Sequence, residues 1–177
     1  MPEPFPFPHI TALCSKCLLD WRRRNWIEYS PAVRFSNEKR VNRAVKYGTA
    51  IVLAHLMVNI IHGAAHRELR VELCPAAMLF VIGVILLCPL FAMVLLWASQ
   101  RRLGLVLLTL SMATSLVFGL YNHFVILSPD HVGEQAPGPW GTAFVLTAYL
   151  LFLTEAIGTY VGLYFLYQWM RASREVG

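Results

Sequence analysis

Four long apolar stretches dominate the pattern of hydrophobic and polar positions along this chain. Each reaches or exceeds the roughly 20 mainly apolar residues that a helix needs to cross the hydrocarbon core of a bilayer. The ten-residue alternation that is typical of membrane β-barrel strands is not found. The pattern therefore predicts four transmembrane helices, at about 47–66, 73–99, 103–128 and 141–170.

The connections between these stretches are short. Residues 67–72 join the first pair and residues 100–102 join the second and third. The longest connection, 129–140, is rich in Pro and Gly and is expected to be an irregular surface loop. Short links favour antiparallel neighbours, so we expect an all-α integral membrane four-helix bundle with up-down-up-down order.

The distribution of Lys and Arg predicts the orientation. The segment before the first helix holds nine of these residues, and the second link and the C-terminal tail add four more. The opposite side has only Arg67 and Arg70. Because positive charge collects on the cytoplasmic side, we expect both termini in the cytoplasm and the 129–140 loop outside, most simply across a plasma (inner) membrane.

The terminal segments lie outside the predicted membrane domain at 47–170. Residues 1–46 form a basic cytoplasmic extension that should associate with anionic lipid at the membrane surface, and 171–177 form a cytoplasmic tail. The run Trp21–Trp26 mixes aromatics with Arg, but beside a membrane span a lipid partner is favoured over nucleic acid. The Cys14–Cys17 pair is too small a set to define a zinc site, and whether it binds anything stays open.

Composition narrows the class of protein. Hydrophobic residues make up 57% of the chain and charged residues only 14%, whereas soluble domains have about 25% charged residues. A disordered chain, a disulfide-stapled secreted domain and an ordinary soluble enzyme are excluded. The expected partners are the lipid bilayer, other membrane subunits, and a small or lipid-soluble ligand.

Polar residues on one face of the first helix are the main functional signal. At 100° per residue, His55, Asn59, His62 and His66 fall within a stripe about 60° wide. Polar side chains inside a membrane almost always face the bundle interior or a wet cavity. We therefore expect this stripe to point inward.

Depth along the helices divides the polar residues into two layers. His123 near the end of the third helix reaches the level of His62 and His66, and the loop residues Asp130 and His131 follow directly. Glu155 in the fourth helix lies at the depth of His55. We therefore predict an outer layer near the extracytoplasmic side and a deeper His55–Glu155 layer bridged by Asn59.

The outer layer has the residue types of a transition-metal site. His62 and His66 are one helical turn apart on one face, a common spacing for two ligands of one ion. His123 would be the third ligand, with Asp130 or His131 closing the site. Zinc, copper and iron are not distinguished.

The deeper layer suggests catalysis or proton movement. His55 and Glu155 are the predicted catalytic or proton-path residues, acting beside the metal on a small or lipid-soluble molecule or in its redox chemistry. Replacing Glu155 with Gln is expected to abolish activity or metal retention while folding stays intact.

Two other functions fit the same residues. In the first, a His of the first helix and His123 are axial ligands of a b-type haem in an electron-transfer subunit. In the second, the polar interior holds no cofactor, and the chain is a transporter or a structural accessory subunit. The sequence leaves open whether the protein is an enzyme.

Overall fold

Residues 31–175 are described by a computed structural model of the protein. The chain forms four long helices: α1 (Pro31–Glu68), α2 (Pro75–Trp97), α3 (Arg101–Val125) and α4 (Pro139–Glu175). A short 3₁₀ turn at Val132–Glu134 lies between α3 and α4. No strand occurs within this described range. The all-helical prediction is confirmed.

All four helices are long and apolar enough to cross a membrane. Their most apolar windows have mean hydropathies between 1.6 and 3.0. Large apolar side chains cover the outside of the bundle: Leu79 is 72% exposed and Val117 is 66% exposed. Such a surface suits lipid and would be costly in water, which indicates an integral membrane protein. The up-down order and the sidedness stay predictions at this point.

α1 begins before the apolar part of its sequence. It starts at Pro31, whereas the apolar stretch that predicted the first span starts at about Tyr47. Hydropathy marks only the part of a helix that lies in the hydrocarbon core. The Lys and Arg residues before Tyr47 are good helix formers, so the helix extends beyond that part. The Cys14–Cys17 pair and the rest of residues 1–30 lie outside the described residues, as do residues 176–177.

α2 contains a wide π-helical segment, Val81–Leu87, which ends two residues before Pro89. A proline ring inside an α-helix clashes with the carbonyl group four residues earlier, here that of Ile85. The π segment places that carbonyl in a turn with different spacing. The helix therefore continues through Pro89, and Ile85 and Pro89 are both buried in the bundle.

The bundle has two ends with different interiors. We call the end with the connections 69–74 and 126–138 the histidine end, and the end with the connection 98–100 the arginine end. The apolar core lies in the half toward the arginine end and includes Leu96, Leu108 and Met112, all of which are 0% exposed. Glycines allow close approach here, since a Cβ at Gly104 would lie 2.9 Å from the backbone of α2.

Candidate metal centre

Three histidines meet at the histidine end of the bundle, and we call them the histidine triad. His62 and His66 come from successive turns of α1, and His123 comes from the last turn of α3. One ligating atom from each ring lies within 4.8 Å of the others. His62 and His123 are buried and His66 is partly buried. The triad can therefore hold a metal ion.

A π-helical turn brings His123 to this position. Residues Tyr121–Val125, the end of α3, are π-helical. On a regular α-helix His123 would lie about 80° from Ser115, at the edge of the face that Ser115 and Gly119 share. The π turn winds less per residue, so the imidazole turns back toward that face and contacts His62, with ring centroids 4.9 Å apart.

Hydrogen bonds fix the orientation of two of the rings through their Nδ1 atoms. His66 Nδ1 lies 3.3 Å from the carbonyl oxygen of Val71, and His123 Nδ1 lies 3.0 Å from the carbonyl oxygen of Asp130. Since a carbonyl oxygen can only accept, both Nδ1 atoms carry a proton. In a neutral imidazole the lone pair is then on Nε2, where it is available to a metal.

His62 has the same arrangement through Thr147. Its Nδ1 lies 2.8 Å from Thr147 Oγ1. The hydroxyl proton of Thr147 points to carbonyl oxygens of its own helix, those of Ala143 at 2.6 Å and Phe144 at 3.0 Å. The hydroxyl oxygen therefore accepts from His62 Nδ1. All three rings of the triad thus present Nε2 as the ligating atom.

Two buried atoms at the triad lack a hydrogen-bond partner among the described residues: His62 Nε2 and Asp130 Oδ1. A buried polar atom without a partner costs about 1–3 kcal/mol. Asp130 Oδ1 lies 3.2 Å from His66 Nε2 and 3.4 Å from His123 Nδ1. With a neutral His66 the Nε2 lone pair faces the carboxylate, and a proton or a cation between the two atoms would satisfy both. Ligand atoms around a tetrahedral ion with bonds of about 2.0–2.1 Å are about 3.3 Å apart. This spacing suits a shared cation.

The rings of the triad pack closely against one another and against Phe144. The Phe144 centroid lies 4.7 Å from that of His62, 4.9 Å from that of His66 and 5.5 Å from that of His123. Phe144 is 0% exposed and forms an apolar wall. Because His62 and His123 are in direct edge-to-face contact, no haem plane fits between them, which argues against that pair as axial ligands.

His131 lies apart from the triad in its contacts. Its Nδ1 accepts a hydrogen bond of 3.0 Å from the backbone N–H of Gly133. The ring thereby caps the 3₁₀ turn Val132–Glu134. Asp130 and not its neighbour in sequence is the loop residue that the structure brings to the triad.

His55 and Glu155 form a buried pair one layer below the triad. His55 Nε2 lies 3.1 Å from Glu155 Oε1, and both side chains are almost completely buried. The Asn59 side-chain amide lies 3.0 Å from His55 Nε2. Glu155 Oε2 and the His123 ring both lie within 4 Å of where a Cβ would stand at Gly119. Gly119 therefore lets the carboxylate approach the triad.

A cavity of about 630 Å³ connects the two layers. Its lining includes the whole triad, Asp130 and Glu155. Apolar side chains of α2 form another wall. At this size the cavity is within the range of pockets that hold small organic ligands. A molecule in the cavity would contact the triad and Glu155 together.

Sequence reasoning missed the groups that orient the triad. In the sequence, Thr147 is only a polar position on the expected inward face of the fourth helix, and nothing marks it as a partner of His62. The Val71 and Asp130 carbonyl oxygens belong to the backbone, which carries no sequence signal. The π turn of α3 also has no distinctive residue pattern, and the cavity depends on packing between helices.

Comparison with known proteins gives no relative from which a role could be transferred. No protein family, curated protein or solved structure matches this chain.

Proposed function

We propose that this protein is a metal-dependent integral membrane protein that binds one transition-metal ion through His62, His66 and His123. Asp130 is the fourth ligand. The ion lies beside the cavity, where it acts on a small or lipid-soluble molecule. Glu155 and His55 form the proton donor and acceptor pair below it.

The observation that carries this proposal is the common orientation of the three imidazoles. Each ring donates from Nδ1 to an oxygen, which leaves Nε2 as the ligand atom, and one ligating atom of each ring lies within 4.8 Å of the others. Hydrogen bonds of this kind from the outer nitrogen are typical of metal-bound histidines. Three imidazoles and one carboxylate are ligands that suit zinc or iron.

Metal analysis of the purified protein tests the proposal. Protein extracted in detergent without chelators should contain about one zinc, iron or copper ion per chain. His62→Ala should lose the ion, because Nε2 is a ligand. His131→Ala is the matched control, since it removes a histidine from the same end that caps a turn, and it should keep the ion.

Two results would overturn the proposal. A metal site of this kind should bind about one ion per chain. A content below about 0.2 ion per chain in the wild-type protein would indicate a cofactor-free subunit or transporter. A Soret band in the absorption spectrum would indicate haem instead of a metal ion held by nitrogen and oxygen atoms.

The contacts between helices support the up-down-up-down order. A Cβ at Gly48, early in the membrane part of α1, would meet Leu96 at the end of α2. His62, late in α1, hydrogen-bonds Thr147 early in α4. Both pairs are expected for antiparallel neighbours. We propose that both termini are cytoplasmic and that the histidine end faces outward.

Cysteine labelling tests this orientation. Glu134 is exposed in the 3₁₀ turn, so Glu134→Cys should react with an impermeant maleimide in whole cells. The background should have all four native cysteines replaced by Ser, because Cys74 is itself exposed at the same end. If Glu134→Cys is labelled only after the cells are lysed, the histidine end faces the cytoplasm and the proposed orientation is wrong.

A further inference from the structure

The mouth of the cavity carries two arginines, and one wall of the passage behind them is apolar. We propose that the cavity binds a long-chain anionic amphiphile, with its headgroup at Arg67 and Arg70 and its alkyl chain along α2. This assignment names the class of molecule that reaches the metal, and in that respect it rests on the proposed function.

The apolar wall fits an alkyl chain. Met78, Val81, Ile85 and Leu86 line the cavity along two turns of α2, and Phe118 continues the wall on α3. α1 packs mainly on α4 and only lightly on α2. Gly63 faces the cavity from α1, and a Cβ there would meet nothing within 4 Å. The seam between α1 and α2 is therefore open enough for a chain to enter from the bilayer.

Arg67 and Arg70 fit an anionic headgroup. They are exposed, they line the cavity, and they are the only Lys or Arg residues between positions 47 and 100. Neither has an ion-pair partner among the side chains that the structure describes. Glu72 also lines the mouth, where the two arginines outnumber this one carboxylate. The other two carboxylates of the cavity, Asp130 and Glu155, lie further in, next to His66 and His55. Guanidinium groups bind carboxylates and phosphates through paired hydrogen bonds.

The backbone at Arg70 adds an independent observation. Arg70 has a φ of 53°, the left-handed conformation that ends many helices and that usually selects Gly or Asn. Among the described residues, no other non-glycine residue has a positive φ. A residue held in an unfavourable backbone conformation points to a role for its side chain, and the Arg70 side chain lies at the mouth of the cavity.

The order of the side chains along the cavity determines which part of a bound amphiphile lies next to the metal site. His62 precedes Arg67 by five residues on α1, which is about 7.5 Å along a helix. A headgroup at Arg67 and Arg70 thus places carbons of the chain beside the triad.

Binding of matched probes tests this inference. The full chain in phosphatidylcholine nanodiscs is titrated with palmitate, hexadecanol and 1-palmitoyl lysophosphatidate, and metal content is measured on each sample. Palmitate and hexadecanol share the chain and differ in charge, whereas palmitate and lysophosphatidate separate a carboxylate from a phosphate headgroup. We expect saturable binding of at least one anionic probe and weak binding of hexadecanol.

Variants at the mouth locate the headgroup. The Arg67→Gln/Arg70→Gln double variant should weaken binding of the anionic probe by about tenfold or more, as expected for loss of charge-assisted hydrogen bonds. Arg70→Gly should also weaken binding while thermal stability is kept or raised, because glycine accepts the positive φ. Arg102→Gln, an exposed arginine at the arginine end, is the control and should bind as wild type does.

The outcomes separate this inference from the proposed function. Equal binding of palmitate and hexadecanol, or anionic binding that is unchanged in the double variant, overturns the headgroup assignment. If the protein contains stoichiometric metal but binds none of the probes, the proposal of an amphiphile ligand is wrong and the proposed metal site is retained. Probe binding that depends on Arg67 and Arg70 in protein without metal supports the cavity assignment and overturns the proposed function.

Discussion

The arginine end and the histidine end of the bundle use their interiors in opposite ways. Toward the arginine end, Leu96, Leu108 and Met112 are completely buried in one apolar core, and Gly104 brings α2 and α3 into close contact. At the histidine end, histidine and carboxylate side chains line a cavity of about 630 Å³. The same four helices thus pack tightly in one half and separate in the other.

This difference indicates a division of roles within a single bundle. Close packing gives the apolar half most of its contact energy. Three of the four buried side-chain atoms without partners among the described residues lie in the polar half, and such atoms are unfavourable unless a bound cation or ligand satisfies them. A rigid half that supports an open half is the arrangement expected where side chains must be held in place for binding.

The largest expected effect is on stability in the packed half. A Cβ at Gly104 would lie 2.9 Å from the backbone atoms Ala92 O and Leu96 N. Backbone atoms cannot turn aside as a side chain can, so Gly104→Ala should destabilise the bundle by about 3 kcal/mol, at the upper end for overpacked cores. Thermal unfolding in detergent should show a clear fall in Tm.

Gly63→Ala at the histidine end is the matched control. It is also a helical glycine, but a Cβ there would meet nothing within 4 Å. Its Tm should be unchanged or slightly raised, since Ala is the better helix former by up to about 1 kcal/mol. Equal effects of the two substitutions would show that the two halves do not differ in packing as described.

The next largest effect is on metal affinity. Thr147→Val keeps the shape of the side chain but removes the oxygen that accepts from His62 Nδ1. Loss of such an orienting partner typically weakens metal binding by about 10–100-fold. Competition with a chelator of known affinity would measure the change.

Thr154→Val provides the control for this substitution. The Thr154 hydroxyl lies on the same helix but bonds only to backbone carbonyl oxygens of Leu150 and Leu151. The Thr154→Val variant should bind metal with the affinity of the wild-type protein. If Thr147→Val also binds metal as wild type does, the hydroxyl does not orient a ligand.

Much of the histidine end was predictable because helical periodicity is a local property. Residues four apart on α1 must share a face, so His62 and His66 follow directly from the sequence. The level of His123 followed from its distance along α3. Its orientation did not, because the π turn at Tyr121–Val125 depends on tertiary packing.

The loop that contributes Asp130 shows where sequence reasoning ends. Asp130 and His131 are adjacent and equally suited to bind a metal by residue type. Only the conformation of the loop turns Asp130 toward His66 and His131 toward Gly133. The four membrane-spanning helices could be predicted without knowledge of loop conformation, because the length and composition of the four apolar stretches are enough to identify them.

A smaller effect is expected from the buried carboxylate beneath the triad. Glu155→Gln keeps the size of the side chain and its contact with His55 but removes a carboxylate that approaches His123 across Gly119. Because Glu155 is paired with His55 and lies one layer from the ion, losing its attraction should weaken metal binding by about tenfold, or about 1.4 kcal/mol. Turnover should be lost if the pair moves protons.

The control for this carboxylate is Glu134→Gln, which removes an exposed carboxylate at the same end. Chelator competition and thermal unfolding should both be run on the two variants. If Glu155→Gln retains metal and activity as wild type does, Glu155 has only a structural role and the deeper layer takes no part in function.

The smallest expected effect separates the two neighbouring loop residues. His131→Ala removes the cap of the Val132–Glu134 turn, and loss of a cap typically costs about 1 kcal/mol. Metal content should stay at the wild-type level, whereas Asp130→Ala should lower it, because Asp130 Oδ1 faces His66 Nε2 at 3.2 Å. Both variants keep the backbone carbonyl that orients His123, and Asp130→Asn removes the charge while it keeps the size of the side chain. Metal loss in Asp130→Asn would therefore assign the effect to the carboxylate, and metal loss in His131→Ala would contradict the described loop.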